Sequence, residues 1–207
     1  MTRDTSKSLD RAGKVRPGEE LDLSQLDPWI KSQIAGLSGT PTVTQYSGGA
    51  SNWTYCLSYP ERELIVRRAP AGTKAKGAHD MGREYRLQAL LKPVYPYVPA
   101  MLAYSDDTSI IGSEFYVMEK LVGLIPRTNM PRGLSMSAAQ NRALCLNAID
   151  SLIELHAVDY TEAGLADFAK GEGYAKRQIE GWSHRYSKAK TWNVPAAKSV
   201  MRWLQSN

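Results

Sequence analysis

A turn of small polar residues lies between two strand-like stretches in the first third of the chain. It contains Ser47, Gly48, Gly49, Ser51 and Asn52. Small residues let backbone N–H groups approach the oxygens of a phosphate, and the serine and asparagine side chains add further donors. A β-hairpin that needs glycine at a positive φ is the simpler interpretation of the same residues.

A cation and a carboxylate follow this turn at a suggestive spacing. Arg67 ends the next strand-like run, and Glu84 lies in a helical segment beyond it. Arginine keeps its charge and can bind a phosphate through two parallel hydrogen bonds. The adjacent Arg68 faces the opposite side, because side chains alternate along a strand. We therefore expect Arg67 to be a phosphate cation that Glu84 orients; the alternative is a surface ion pair.

A third group of residues follows in the apolar stretch 115–121, just before the composition changes near residue 122. The end of such a strand can present backbone N–H and C=O groups to a flat ring bound in a cleft. We expect Met118, Glu119 and Leu121 to contact a nucleotide base there, with Glu119 and Leu121 offering backbone groups.

Hydrophobic periodicity predicts the elements that must position these residues. Strands are predicted at 43–46, 53–59, 64–68, 98–104 and 115–121, with a helix at 78–92. Strands followed by helices indicate an α+β fold, in which a five-stranded antiparallel sheet carries one helix inserted after its third strand.

The chain is predicted to have three parts. Residues 1–20 are polar and are expected to form a disordered tail. Residues 21–122 form a first lobe that starts with a helix, for which Asp27 is the predicted N-cap and Pro28 the first helical residue. Residues 123–207 are predicted to be helical.

Two helices of this last part carry further signals. Ser137 and Gln140 have the spacing of a capping box. Trp182 and Tyr186 lie among basic residues on a later helix, and aromatic residues interleaved with basic ones can stack nucleic-acid bases. This makes a basic nucleic-acid-binding protein one hypothesis, although the same stripe is also typical of a helix packed in a core. A third helix is predicted to open at Val194 and Pro195.

Composition sets limits on the class of protein. The 207 residues are 43% hydrophobic and 23% charged, with a net charge of +5 that would suit anionic ligands. Basic residues are not strongly clustered, which disfavours nucleic acid as the partner. Cys56 and Cys145 lack the spacing of metal ligands. Because the sequence has neither a secretory signal nor a membrane-spanning apolar run, we expect a cytoplasmic protein with reduced thiols.

Taken together, these residues resemble the aminoglycoside phosphotransferase and choline-kinase-like family, a branch of the protein-kinase-like fold. The similarity is to the subfamily fused to, or encoded beside, acyl-CoA dehydrogenases. Its Ser-Gly-Gly-x-Ser-Asn turn is present here, as are the two arginines that end the third strand. The helical Arg-Glu-Tyr is matched by Arg83, Glu84 and Tyr85. The resemblance spans about 42–190.

This resemblance implies a binding site for ATP or GTP with Mg²⁺ and transfer of the γ-phosphoryl group to the hydroxyl of a small molecule. In the family, a His-Gly-Asp loop, an Asn five residues beyond its Asp and a later metal-binding Asp carry out the chemistry. None of the three histidines here is followed two positions later by Asp. We therefore expect a chain truncated before its catalytic loop, with no catalytic residue or metal ligand, and inactive alone. The alternative is a non-catalytic nucleotide-binding or docking module, for example one that docks onto an acyl-CoA dehydrogenase.

Two further expectations follow from this hypothesis. Residues 123–207 contain eleven Lys or Arg and seven Asp or Glu, a net charge of +4. This charge favours an anionic substrate, such as a hydroxyacyl-CoA or a hydroxy acid, over a polycationic aminoglycoside. Truncation also predicts exposed apolar helix faces at Leu152, Trp182 and Leu204.

Overall fold

Five antiparallel strands form one sheet in the computed structural model, which describes residues 12–47, 52–70, 79–125 and 134–206. The strand order is β1-β2-β3-β5-β4. The strands are β1 (Thr42–Gln45), β2 (Trp53–Ser58), β3 (Glu63–Arg68), β4 (Met101–Ser105) and β5 (Phe115–Glu119). The predicted five-stranded antiparallel sheet and the α+β class are thus confirmed.

One face of the sheet is the floor of the hydrophobic core. Alternate residues of β2, β3 and β5 point to this face because a strand has a side-chain period of two. Six of them are fully buried: Tyr55, Leu57, Leu64, Val66, Phe115 and Val117. They form one cluster with Leu26 and Ile30 of the first helix, α1 (Leu23–Gln33). Trp29 of α1 contacts Phe115 edge-on, at 4.8 Å between ring centroids.

The start of α1 differs from the prediction. Asp22 is its N-cap, accepting a hydrogen bond from the backbone N–H of Ser24 at 2.9 Å, and Pro28 lies inside the helix. Asp27 is instead buried and accepts hydrogen bonds from the Tyr59 hydroxyl at 2.8 Å and from Lys31 at 2.7 Å. The prediction that Asp27 caps the helix was wrong because this carboxylate serves a tertiary contact.

Residues 12–20 also differ from the predicted disordered tail. Gly13 pairs with Gln45 through two backbone hydrogen bonds of 2.8 and 2.9 Å. The backbone carbonyl of Glu19 accepts a hydrogen bond from the buried Tyr55 at 2.7 Å. The tail prediction is wrong for this stretch, because hydrogen bonds to the sheet hold a polar segment that has little apolar surface to bury. Residues 1–11 lie outside the described part of the chain.

The second helix, α2 (Met81–Leu91), packs on the opposite face of the sheet. Its N-cap is Asp80, and the fully buried Met81 contacts Tyr116 of β5. Tyr85 stacks on Tyr104 of β4 at 5.5 Å. A Cβ atom at Gly82 would lie 2.9 Å from the Tyr104 hydroxyl, so any larger residue there would have to displace the Tyr104 ring. Because α2 contacts the sheet at β4 and β5, it leaves the β1–β3 side of this face open.

A short helix that sequence reasoning missed, α3 (Thr108–Ile111), follows β4. Asp107 caps it, and Gly112 ends it at a φ of 79°, a left-handed conformation that favours glycine. Four residues are too few to show helical periodicity in the sequence. Its position matters because the carbonyl of Ile111 accepts a hydrogen bond from the buried Arg68.

The chain divides into two units, 1–163 and 164–207. The last helix of the first unit, α4 (Ala138–His156), begins with the predicted capping box of Ser137 and Gln140. None of its residues is buried in the described structure, and Leu152 is 47% exposed. The exposure predicted for Leu152 is therefore confirmed.

The second unit contains a short 3₁₀ helix (Ala166–Phe168), then α5 (Tyr174–Ala189) and α6 (Lys198–Ser206). Trp182 and Leu204 are exposed, as predicted for the chain's apolar faces. The interpretation of the α5 aromatic stripe as core is wrong for this unit, since none of the helix's residues is buried. No helix among the described residues is both long and apolar enough to cross a membrane.

Phe115 provides a test of the core. Replacing it with alanine would leave a cavity beneath α1, and we expect a loss of about 3–5 kcal/mol in the free energy of unfolding. Urea denaturation followed by tryptophan fluorescence would measure this change. Tyr97→Ala is the matched control, because Tyr97 is an exposed aromatic residue. Equal denaturation midpoints for the two variants would contradict this assignment of the core.

Candidate functional site

Four side chains converge on the open face of the sheet, with the carboxylate of Glu84 at their centre. Its Oε1 accepts a hydrogen bond from Nδ2 of Asn52 at 2.8 Å. Its Oε2 accepts one from the Tyr116 hydroxyl at 3.0 Å and lies 3.4 Å from Nε of Arg67. His79 extends the set, with its Nδ1 2.8 Å from Oδ1 of Asn52. We call these five residues the Glu84 cluster.

Strand register explains why these residues meet. Arg67 of β3 lies opposite Tyr116 of β5 on one side and Thr54 of β2 on the other. Partners directly opposite in an antiparallel sheet project to the same face. Asn52 comes two residues before Thr54, and Glu84 lies in the first turn of α2, which covers this face beside β5. The fold therefore brings together residues that are far apart in the sequence. Arg67 lies 15 positions after Asn52, and Tyr116 lies 64 positions after it.

Arg67 contacts Glu84 through its Nε atom. At 3.4 Å this contact is an ion pair rather than a hydrogen bond, and Nε is a buried atom without a hydrogen-bond partner. No described residue accepts a hydrogen bond from the two terminal nitrogens of the guanidinium. Since the Arg67 side chain is 33% exposed, this outer edge is available to an anionic ligand.

The neighbouring Arg68 has a different role. As predicted, it projects to the other face, where its guanidinium donates to the carbonyl of Ile111 at 2.6 Å and lies 4.7 Å from the centre of the Trp53 ring. It is buried, so it fixes α3 and Trp53 rather than facing a ligand. Of the two consecutive arginines, Arg67 alone belongs to the open face.

Tyr116 is fixed in its neutral form. Burial raises the pKa of its phenol to about 12; the nearby Arg67 cation lowers this pKa, and the Glu84 carboxylate raises it. A neutral phenol donates its proton to the carboxylate. Tyr116 therefore holds Oε2 of Glu84 in place at neutral pH without adding a charge to the site.

A groove of about 790 Å³ opens on the same face of the sheet, beside the Glu84 cluster. Cys56, Ile65 and Met118 form its floor on β2, β3 and β5. Segment 121–125, which follows β5, forms one wall and exposes apolar side chains, with Leu121 60% exposed. A flat apolar slot with backbone groups at its edge is suited to an aromatic ring.

Ionisable groups also line this groove. Lys120 donates to the carboxylate of Glu63 at 2.5 Å, and this hydrogen bond lowers the pKa of Glu63. Burial raises the pKa of the Cys56 thiol, which keeps it protonated and a poor nucleophile. The groove thus combines an apolar floor with one tight ion pair at its end.

The residues predicted to contact a base all line the groove, namely Met118, Glu119 and Leu121. The backbone N–H of Glu119, however, already donates to the carbonyl of Ala100 at 2.9 Å. Its carboxylate accepts from the N–H of Ala100 at 2.7 Å and from Lys92 at 3.3 Å, and these bonds lower its pKa. Leu121 lies beyond the last strand pair, Leu64 with Glu119, and is better placed to offer backbone groups.

The predicted turn is described only at its two ends. Ser47 is exposed after β1, whereas Asn52 is buried and directs its amide to Glu84 and His79. The other predicted turn residues, Gly48, Gly49 and Ser51, lie outside the described residues. Sequence reasoning missed Tyr116 and His79. Because side chains alternate along a strand, Tyr116 shares a face with Met118, and this signal could have identified it. No sequence signal marks His79.

Mg²⁺ is the metal ion that the family resemblance implies. Mg²⁺ prefers oxygen ligands in octahedral geometry. Among the described residues, no group of three or more His, Cys, Asp or Glu side chains converges on a common point. The described residues therefore offer no metal-binding cluster of this kind, and the contacts of the site come from the protein's own cation and hydrogen-bond donors.

The chain belongs to the phosphotransferase enzyme family, whose model matches residues 42–207. The crystal structure of a "putative aminoglycoside phosphotransferase" from Ralstonia eutropha JMP134 is similar to it, with a TM-score of 0.72 and 31% sequence identity. That similarity covers 91% of this chain and 54% of the other. The predicted kinase-like fold and family are therefore confirmed.

Curated relatives are considerably longer than this chain. It is 32% identical over 198 residues to human acyl-CoA dehydrogenase family member 11, a match that covers 94% of the chain and 25% of the relative. Acyl-CoA dehydrogenase family member 10 of Mus musculus is 32% identical over 191 residues, covering 92% and 18%, respectively. The chain thus spans a quarter or less of the length of these two relatives.

Tyr116 gives a prediction for alkaline pH. Its folded pKa of about 12 lies above the usual value near 10, so the stability that it contributes is complete below pH 10 and is lost as the pH rises toward 12. Between pH 9 and 11.5 the wild type should lose roughly 2 kcal/mol more unfolding free energy than Tyr116→Phe. Urea denaturation at several pH values would measure this difference, and parallel pH profiles would contradict it.

Proposed function

We propose that this chain binds a nucleoside triphosphate, ATP or GTP, with its base in the groove and its phosphates on Arg67. The observation that carries this proposal is that the groove and the Glu84 cluster share one face of the sheet. Arg67 comes two residues after Ile65 of the groove floor along β3, a distance of about 7 Å. The site thus offers an apolar slot beside a fixed cation, the two features that a nucleotide requires.

The Glu84 cluster supports a role in binding phosphate. Phosphoryl transfer requires that the phosphates be held in place and their charge be offset, with little covalent chemistry from the protein. Glu84 orients Arg67 through one edge, which leaves the outer edge of the guanidinium for two parallel hydrogen bonds to phosphate. Asn52 and Tyr116 hold Glu84 from the other sides, so an empty site would already have this arrangement.

We further infer that the 207-residue chain binds the nucleotide without turning it over. Membership of the phosphotransferase enzyme family supports transfer of a phosphoryl group as the reaction class, with the hydroxyl of a small molecule as the acceptor that we propose. Yet the sequence has no Asp two positions after any histidine, and the described residues provide no Mg²⁺ ligand set. A non-catalytic nucleotide-binding or docking module is the second candidate, and it shares the same groove.

The acceptor is proposed to be anionic. The net charge of +4 over residues 123–207 disfavours a polycationic aminoglycoside. Two relatives bear the name acyl-CoA dehydrogenase, although the chain matches a quarter or less of their length. We therefore propose a hydroxyacyl-CoA or hydroxy acid as the acceptor and an acyl-CoA dehydrogenase as a partner.

Nucleotide binding can be tested by thermal shift. Mg-ATP or Mg-GTP at 100 times its Kd should stabilise the folded chain by about 2.7 kcal/mol, a rise of roughly 5–10 °C in Tm. Arg67→Ala should weaken binding about 10- to 100-fold, because it removes charge-assisted hydrogen bonds. Arg67→Lys should have an intermediate effect, since lysine keeps the charge and loses the planar fork.

The matched control is Arg142→Ala, which removes an exposed arginine of α4 and should leave the Tm shift unchanged. An unchanged Tm in the wild type at millimolar nucleotide would contradict the proposed function. Equal shifts for Arg67→Ala and Arg142→Ala would contradict the role assigned to Arg67.

Acceptor class and turnover can be tested together. With Mg-ATP present, a hydroxyacyl-CoA should raise Tm further, whereas kanamycin, a polycationic aminoglycoside, should not. ³¹P NMR of the same mixture should show ATP unchanged, with no new phosphate ester. Appearance of an ester would refute the proposal that the chain binds without turnover, and a larger Tm rise with kanamycin would refute the anionic acceptor.

A further inference from the structure

We propose that His79 is a positioning residue for this site: through the amide of Asn52 it fixes the Glu84 carboxylate and thereby the ion pair with Arg67. The function proposed above gives this histidine no role of its own. Its effect on nucleotide affinity rests on the proposed function, whereas its place in the hydrogen-bond chain does not.

Asn52 connects the two ends of this chain. It is only 2% exposed, and both ends of its amide have a partner at 2.8 Å, His79 on Oδ1 and Glu84 on Nδ2. A buried amide is held strongly by such bonds, because water cannot replace a partner that is lost. Moving His79 would therefore release the amide, and the amide is one of the two groups that fix the Glu84 carboxylate.

The direction of each hydrogen bond follows from the charge of Glu84. An ionised carboxylate only accepts, so the atom of Asn52 that faces it must be the NH₂ group. Oδ1 then faces His79 and must receive a proton, so Nδ1 of His79 carries hydrogen. The opposite amide orientation would set two acceptors, Oδ1 of Asn52 and Oε1 of Glu84, 2.8 Å apart. The geometry thus assigns the Nδ1–H form to His79.

The backbone of His79 supports a fixed role. Its φ is 61°, in the left-handed region, which residues other than glycine seldom adopt. It immediately precedes Asp80, the N-cap of α2, whose side chain accepts from the backbone N–H of Arg83 at 2.7 Å. Strained residues persist where the surrounding structure determines them, commonly at functional sites. At His79 the left-handed backbone and the side-chain hydrogen bond to Asn52 occur in the same residue.

The first test reads the tautomer of His79 in the full 207-residue chain. Long-range ¹H–¹⁵N NMR distinguishes a protonated ring nitrogen from a bare one, and at pH 8 an ordinary histidine is neutral. The chain has three histidines, so the signals that disappear in His79→Asn identify His79. We expect hydrogen on Nδ1 and a bare Nε2. A bare Nδ1 would overturn the proposal.

The second test compares two substitutions by their Kd for Mg-ATP. His79→Ala removes the donor and should weaken binding roughly 3- to 10-fold. His79→Asn keeps an N–H donor at the δ position and tolerates the left-handed backbone, so it should restore binding to within about twofold of the wild type. Wild-type affinity in His79→Ala, or equal losses in both variants, would overturn the positioning role.

The two tests separate the two proposals. If the wild-type chain binds no nucleotide while His79 shows the Nδ1–H tautomer, the proposed function fails and the hydrogen-bond chain stands. If nucleotide binds and Arg67→Ala weakens binding as expected while Nδ1 is bare, the proposed function stands and the role of His79 fails.

Discussion

The carboxylate of Glu84 is the group on which the rest of the site depends. It belongs to α2, yet each of its partners comes from a different element: Asn52 from the segment before β2, Arg67 from β3 and Tyr116 from β5. This one carboxylate, which is about one-third exposed, thereby links a helix to three parts of the sheet. Because the two hydrogen bonds from neutral groups already hold the carboxylate, its orientation does not depend on the ion pair with Arg67 alone.

The two faces of the sheet separate the hydrophobic core from the candidate site. On one face, fully buried residues such as Phe115 and Val66 pack beneath α1. On the other, α2 covers only the β4–β5 side, and the remainder of that face is the groove. The alternation of a strand forces this division, since every second residue of β3 must serve the opposite face. A ligand site can therefore lie directly behind the core without interrupting it.

Sequence reasoning predicted the sheet and the arginine–glutamate pair, because both rest on local periodicity and on residue types with few alternatives. It missed the partners that depend on register. No local sequence pattern indicates that Tyr116 lies opposite Arg67, because the paired strands β3 and β5 are separated by some fifty residues. Asn52 was expected to donate to a ligand and instead donates to Glu84, because burial made a protein partner obligatory.

A bare surface ion pair is the simplest rival interpretation of Arg67 and Glu84, and its geometry alone would support it. At 3.4 Å, with both side chains about one-third exposed, such a pair contributes less than about 1 kcal/mol. A pair of this kind would not need two additional donors held by buried groups. Asn52 and Tyr116 are both almost fully buried and both donate to the same carboxylate. Two buried polar groups thus fix the orientation of Glu84. This arrangement is better explained by a need to hold the cation in place than by a gain in the stability of the fold.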